Sequence, residues 1–342
     1  MEPWQFMQKQ GLPYTAKIRH AEFKANQFYD DMQGDVFCSV GGLDSITLLI
    51  FLRKHVSKRI PGVSISVLED KSIQEVHRQF DNFVFLKPLK SKVQVIREYG
   101  YPVISKDKAG KIQLLQNPSE KNSTVRHAIM TGTTGKLGGF KTLETGSRMR
   151  LPQKWLNIFG GPENEKYGTN YATAPFKVSP DCCYWMKEKP ADNYAKETGR
   201  KPFMGLMASE GGQRRIALMK HGCNYYGKTV SRSCPFAIFS RQDLLQLALD
   251  LNVPVPRVYG TIERKPDGTL YTTRAQRTGC SMCGFGIHIE ERPHRFDRLR
   301  EDNEKEWRFW MYEMGWGAVL DYIGVEWENP PVAEQYQEAL AL

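Results

Sequence analysis

Ser39-Val-Gly-Gly-Leu-Asp-Ser45 decides how this 342-residue chain is read. It follows Asp35-Val-Phe-Cys-Ser39, an apolar run of strand length, and precedes Ile46 to His55, which reads as a helix closed by basic residues. In a glycine-rich turn from a buried strand into a helix, backbone N–H groups approach an anion closely. The helix adds the positive end of its dipole. Gly41 and Gly42 permit the approach, Ser39 and Ser45 supply hydroxyls, and Asp44 suits helix capping or work through Mg²⁺. Taken alone, the segment is equally a plain strand–turn–helix corner. It is not a Walker loop, because no Gly-Lys-Ser/Thr follows at the required spacing.

Outward from the loop, Gly62 to Leu68 alternates as a second strand. Ile73 to Phe80 reads as a helix and Phe83 to Leu86 as a third strand. That order predicts an α/β fold, a doubly wound and mostly parallel sheet with helices on both faces. Residues 1–34 read as a helical N-terminal segment and 35–285 as the nucleotide-binding domain. Residues 102–180 are rich in Gly, Thr, Lys and Asn, include Thr131-Gly-Thr-Thr-Gly-Lys-Leu-Gly-Gly139, and read as an inserted loop-rich region. Phe203 to Met207 reads as a strand and Arg241 to Asp250 as a helix. Residues 286–342 form a helical C-terminal segment, aromatic at Trp307, Trp310 and Trp316.

Apolar residues are 40% and charged residues 25%, which excludes a disordered chain, a collagen-like repeat or a coiled-coil rod. The longest apolar stretch, Ile46 to Leu52, is too short to span a bilayer, so no membrane partner is expected. Met1-Glu-Pro-Trp-Gln5 shows no basic-then-apolar pattern, and the expected location is cytoplasmic. A net charge of +10 favours an anionic partner. The run Arg292-Pro-His-Arg-Phe-Asp-Arg-Leu-Arg300 suits an anionic polymer. It suits equally a helix face ion-paired with Glu290, Glu291, Asp297 and Glu301.

The seven cysteines are Cys38, Cys182, Cys183, Cys223, Cys234, Cys280 and Cys283, an odd number that argues against a disulfide framework. The adjacent pair Cys182-Cys183 and the CxxC of Cys280 and Cys283 together make four soft ligands. Spacing alone leaves an iron–sulfur cluster, zinc and no metal open. Cys38 reads as a core residue and Trp185 as a core aromatic. Cys223 and Cys234 are buried thiols or a sulfur relay. His288 and His294 are surface histidines or bases.

Gly41-Gly-Leu-Asp-Ser45 resembles the PP-loop of ATP pyrophosphatases, Ser-Gly-Gly-x-Asp-Ser, with Val40 at the first serine position. Cys182-Cys-Tyr-Trp-Met-Lys187-Glu-Lys-Pro190 resembles the Cys-Cys-x-x-x-Lys-x-x-Pro element of adenylyl-sulfate reductases. Gly205 to Arg215 is similar to their Gly-x-x-x-x-Glu-x-x-x-Arg stretch. Pro235 to Leu245, with Val253-Pro-Val-Pro256 and Tyr259, is similar to their later helix and Ile-Pro-x-x-x-Leu-Tyr segment. In order, these span residues 35–285. The chain therefore resembles the phosphoadenosine phosphosulfate (PAPS/APS) reductase-like family, of iron–sulfur type, within the PP-loop or adenine nucleotide alpha hydrolase superfamily.

The resemblance implies ATP with Mg²⁺ held by Ser39, Gly41, Gly42, Asp44 and Ser45, with Arg214 or Arg215 gripping the phosphates from the opposite side. It implies a [4Fe–4S] cluster on Cys182, Cys183, Cys280 and Cys283, and catalytic roles for Asp44, Lys187 and Arg214. The assimilatory reductases carry their attacking thiolate in a C-terminal Glu-Cys-Gly-x-His motif, and no cysteine follows Cys283 here. The expected activity is pyrophosphate release and adenylation of a substrate for sulfur transfer, as in relatives that thiolate DNA or tRNA. The partners so implied are an adenine nucleotide, DNA or tRNA, and a cysteine desulfurase as sulfur donor. Two alternatives are a sulfite-producing reductase using Cys223 or Cys234, and a non-catalytic zinc protein that binds nucleic acid.

Overall fold

The computed structural model describes residues 3–65, 69–133, 149–161, 174–228 and 230–328. The chain divides into two compact units. One is Met1–Leu89 with Lys187–Cys280, and the other Lys90–Met186 with Ser281–Leu342. The three consecutive spans read from the sequence are thus cut differently. Residues 1–34 belong with the glycine loop, and the insertion belongs with the C-terminal helices.

The first unit is built on a six-stranded sheet in the order Phe83–Leu86, Gly62–Ile65, Val36–Ser39, Lys201–Met204, Ser231–Ser233, Asn224–Tyr226. All pairs are parallel except the last. Alternation along the central strand explains its burial on both faces. Val36 and Cys38 enter the main core with Leu43, Ile46, Leu49 and Phe203. Phe37 packs on the other face with Val63 and Tyr194. The doubly wound, mostly parallel α/β architecture is present as expected.

The elements differ at their ends. The second strand is Gly62–Ile65, and residues 66–68 lie outside the described residues. The helix after the loop begins at Leu43, and the next one is Lys71–His77. The fifth strand is Lys201–Met204, not Phe203 to Met207, because the chain turns at Gly205. The helix Tyr14–Asp31 covers the sheet with Ala21, Ala25 and Phe28, spaced for one helical face. Its buried Lys17 pairs with Asp243 at 2.7 Å.

In the second unit the described part of the insertion includes the helices Lys106–Gln116, Ser123–Thr131 and Gln153–Phe159. Capping by Ser105 and burial of Ala109, Ile112 and Leu115 along one stripe explain the first of them. Residues 134–148 and 162–173, including most of Thr131 to Gly139, lie outside the described residues. Val103–Ile104 pairs in parallel with Gly284–Phe285. Arg295–Asp302, Glu304–Arg308 and Trp316–Ile323 follow, around buried Phe296, Trp307 and Trp316. Among the described residues no helix is long and apolar enough to cross a membrane.

Candidate functional site

The glycine loop leaves the carboxyl end of Val36–Ser39. From there the chain winds to Gly62–Ile65 and Phe83–Leu86 on one side, while Lys201–Met204 pairs on the other. That reversal is the topological switch point, where open α/β sheets bind their ligands. The loop then enters the 13-residue helix Leu43–His55.

Its own hydrogen bonds shape the loop. Ser45 Oγ accepts from the Gly41 N–H at 2.7 Å and donates to the Gly42 carbonyl at 3.0 Å. The hydroxyl that the sequence offered to a ligand is therefore committed to the turn. The Leu43 N–H donates to the Tyr259 hydroxyl at 3.1 Å, which also meets Thr278 Oγ1 at 2.6 Å. The amides of Gly42 and Asp44 hold no such bond within the described chain, as expected for the open first turn of a helix. Gly42 is required by space: a Cβ there would stand 2.2 Å from the Tyr259 hydroxyl. At Gly205, a Cβ would meet the Asp44 carbonyl and Ser45 Cα at 3.1 Å, so the fifth strand's exit is pressed against the loop.

His77 holds the loop from the opposite side. Its ring is fully buried and stacks on Phe83, and its Nε2 lies 2.8 Å from the Gly41 carbonyl. Only a protonated Nε2 can donate there, and burial keeps the imidazole neutral by lowering its pKa. His77 Nδ1 is buried with no hydrogen-bond partner among the described residues.

Asp44 carries the loop's charge and pairs with Arg241 Nη1 at 2.5 Å. Burial pushes its carboxyl above the usual carboxylate range. Arg241 and Arg277 pull it back, and Glu210 adds to the rise. Asp44 thus sits among two arginines and a second carboxylate, an arrangement suited to metal-bridged phosphate. Ser39 is half-buried at the strand end. Lys187 Nζ pairs at 2.8 Å with the largely buried Glu69, just beyond the second strand. Arg214 is exposed and pairs with Glu210 one turn back along its helix. Arg215 is exposed too.

Reading the sequence missed His77, Arg241, Thr278 and Arg277. Arg241 and Tyr259 stood inside quoted segments without a role. The capping box of Ser240 and Asp243, which starts the helix under Arg241, was the available signal. His77 offered none, since a histidine on a helix face is usually featureless in sequence.

The cysteines are placed differently. Cys182 and Cys183 lie on the short helix Asp181–Cys183, with Cys182 Sγ 3.4 Å from Met186 Sδ. The boundary between the units falls inside the CxxC, after Cys280. Among the described residues no three His, Cys, Asp or Glu side chains come together as metal ligands. Cys38 is a core residue, as read. Trp185 is half-buried and stacks on Tyr99 at 5.8 Å. His288 is packed edge-on to Trp155, and His294 caps Arg295–Asp302. In the arginine run, Arg292 pairs with Asp297, and Arg295 and Arg298 with Glu290. Arg300 lies over Trp307 at 4.5 Å. That is the ion-paired face.

No family model matches this chain, and no curated protein does. Among solved structures it shows a likeness to phosphoadenylyl-sulfate (PAPS) reductase from Candida auris in a phosphate complex. Identity is 12%, with 69% of this chain and 83% of that one covered. The TM-score is 0.34, too low for the likeness to bear on function.

Proposed function

We propose that the glycine loop binds the phosphates of ATP with Mg²⁺ and that the protein is an ATP pyrophosphatase of sulfur transfer. The observation that carries this reading is the pair of uncommitted amides, Gly42 and Asp44, at a helix N-terminus on the switch point of the sheet. Asp44, beside Arg241 and Arg277, is the residue to bear the metal. An acceptor oxygen attacks the α-phosphorus, the bond to the β-phosphate oxygen breaks, and pyrophosphate leaves. The outer sulfur of a desulfurase cysteine persulfide then displaces AMP from the adenylated acceptor, DNA or tRNA. A second thiol, as reductant, attacks the inner sulfur of the resulting S–S bond, so that the outer sulfur stays on the acceptor and the two thiols leave as a disulfide. The net charge of +10 supports a polyanionic acceptor. Lys187 and Arg214, each ion-paired in the protein alone, would exchange these carboxylate partners for phosphate.

Cys182, Cys183, Cys280 and Cys283 would hold a [4Fe–4S] cluster. Their donor chemistry fits, since all four are thiols outside any disulfide. Among the described residues no three possible metal ligands come together. Burial pushes the Cys223 thiol up to about 11 and the Cys234 thiol up to about 12. Thiols that stay protonated make poor nucleophiles, which weighs against the reductase alternative.

The test is pyrophosphate release from ATP and Mg²⁺. The native chain releases it and Asp44→Ala does not; equal release by both overturns the loop assignment. Iron and sulfide analysis of anaerobically purified protein tests the cysteines separately. About four irons per chain are expected, and zinc or no metal rejects the cluster.

A further inference from the structure

Away from the loop, the first unit contains a cavity of about 180 Å³. It lies between the N-terminal helices and the segment after Gly212–His221. That is far above the ~10–15 Å³ needed to admit one water. Its buried floor is apolar: Phe6, Ile238 and the Cys223 thiol. Its rim is basic, with Lys9, Lys24 and His20. Among the described residues neither lysine has a carboxylate partner. Lys24 reaches only the Gln27 amide oxygen, at 2.8 Å, and the Phe23 ring. His20 Nδ1 is buried with no hydrogen-bond partner among the described residues. Burial, then the charge of Lys9 and Lys24, holds that imidazole neutral. Among the described residues, two ammoniums without a carboxylate partner and a buried imidazole nitrogen without a hydrogen bond share the lining with an apolar floor; the one nearby carboxylate, Asp31, accepts from the Tyr226 hydroxyl.

We infer that this cavity binds a small organic anion, its charged group held by Lys9, Lys24 and His20 and its apolar body seated on Phe6, Cys223 and Ile238. The site is independent of the nucleotide reading. A phosphate or carboxylate satisfies the lysines, and a short apolar body fills the floor that inorganic phosphate leaves uncovered.

The experiment is equilibrium dialysis of phenyl phosphate against the full chain, with and without saturating ATP and Mg²⁺. Inorganic phosphate and chloride at matched ionic strength serve as competitors. One saturable site is expected, unaffected by ATP and about tenfold tighter than for inorganic phosphate because the ring is buried. The double variant Lys9→Gln with Lys24→Gln loses that site while keeping its circular dichroism and its melting temperature. A single-residue probe, Ile238→Met, weakens phenyl phosphate and leaves inorganic phosphate unchanged. No saturable binding, binding abolished by ATP, displacement by chloride, or full binding to the double variant each overturns the inference.

Discussion

The glycine loop takes its parts from seven consecutive residues and a few neighbours in the same unit. The cysteine set draws on residues 182–183 and 280–283, segments assigned to different parts of the chain. In the loop the turn is fixed from within by Ser45, and Tyr259 and His77 hold it from elsewhere in the same unit. In the cysteine set, among the described residues, no three possible ligands come together. A motif that is contiguous carries its geometry with it. A motif that is scattered carries only its chemistry, and its geometry depends on tertiary placement.

Four experiments break or sharpen that contrast. The largest effect is expected in the second unit, where Asp297 lies buried between Arg292 and His294. Asp297→Ala leaves the largely buried Arg292 with only the exposed Glu326, at 3.4 Å, as anion and costs about 3–5 kcal/mol of stability. Thermal melting shows the loss, and ATP binding by the still-folded protein stays unchanged. Burial opposes the charge of Asp297, but His294 and Arg292 outweigh it and lower its pKa to about 2. The stability it confers is therefore complete above the ordinary aspartate value. It is lost as pH falls from there through about 2.

Gly42→Ala comes next. Its Cβ collides with the Tyr259 hydroxyl and shifts the loop, so ATP affinity falls ~100-fold. Tyr259→Phe removes that atom and leaves the ring carbon at 3.4 Å, an ordinary contact, and Thr278 Oγ1 at 3.1 Å, from which the threonine need move only a few tenths of an ångström. The double variant regains most of the affinity. If it binds no better than Gly42→Ala alone, the hydroxyl is not what demands glycine there.

His77→Leu frees the Gly41 carbonyl and lowers ATP affinity about tenfold, a loss of one buried hydrogen bond. His77→Gln, which keeps a donor, loses less. Equal losses in both variants would reduce His77 to packing. The smallest effect is in the pH profile. The Asp44 carboxyl sits above the usual range, so it gains its proton at a higher pH than an ordinary aspartate. Mg²⁺-dependent activity then declines on its acid side earlier than a free carboxylate would dictate. Arg241→Gln moves that limb further up, because it removes the charge that opposes burial.

Hydrophobic alternation and the order of strands and helices placed the parallel sheet and the loop at the end of its central strand. Seven residues were enough because a glycine turn between strand and helix has few possible shapes. The helix Lys106–Gln116 was not legible because composition counts glycines and lysines, whereas Ala109, Ile112 and Leu115 act by position. Arg214 was assigned to phosphate because its segment matched a pattern. In the fold it pairs with its near neighbour Glu210, which no pattern signalled. Arg241 and His77 reach the loop from segments far along the chain, and only the fold reveals them.

Hydrogen–deuterium exchange of peptides covering residues 36–47, with and without ATP and Mg²⁺, tests the central claim most directly. The Gly42 and Asp44 amides make no hydrogen bond among the described residues, and bound phosphate oxygens would take them. Exchange slows across 41–45 when nucleotide is added, and Asp44→Ala removes the slowing. Unchanged exchange in that stretch at saturating ATP would contradict the assignment of the loop as the nucleotide site.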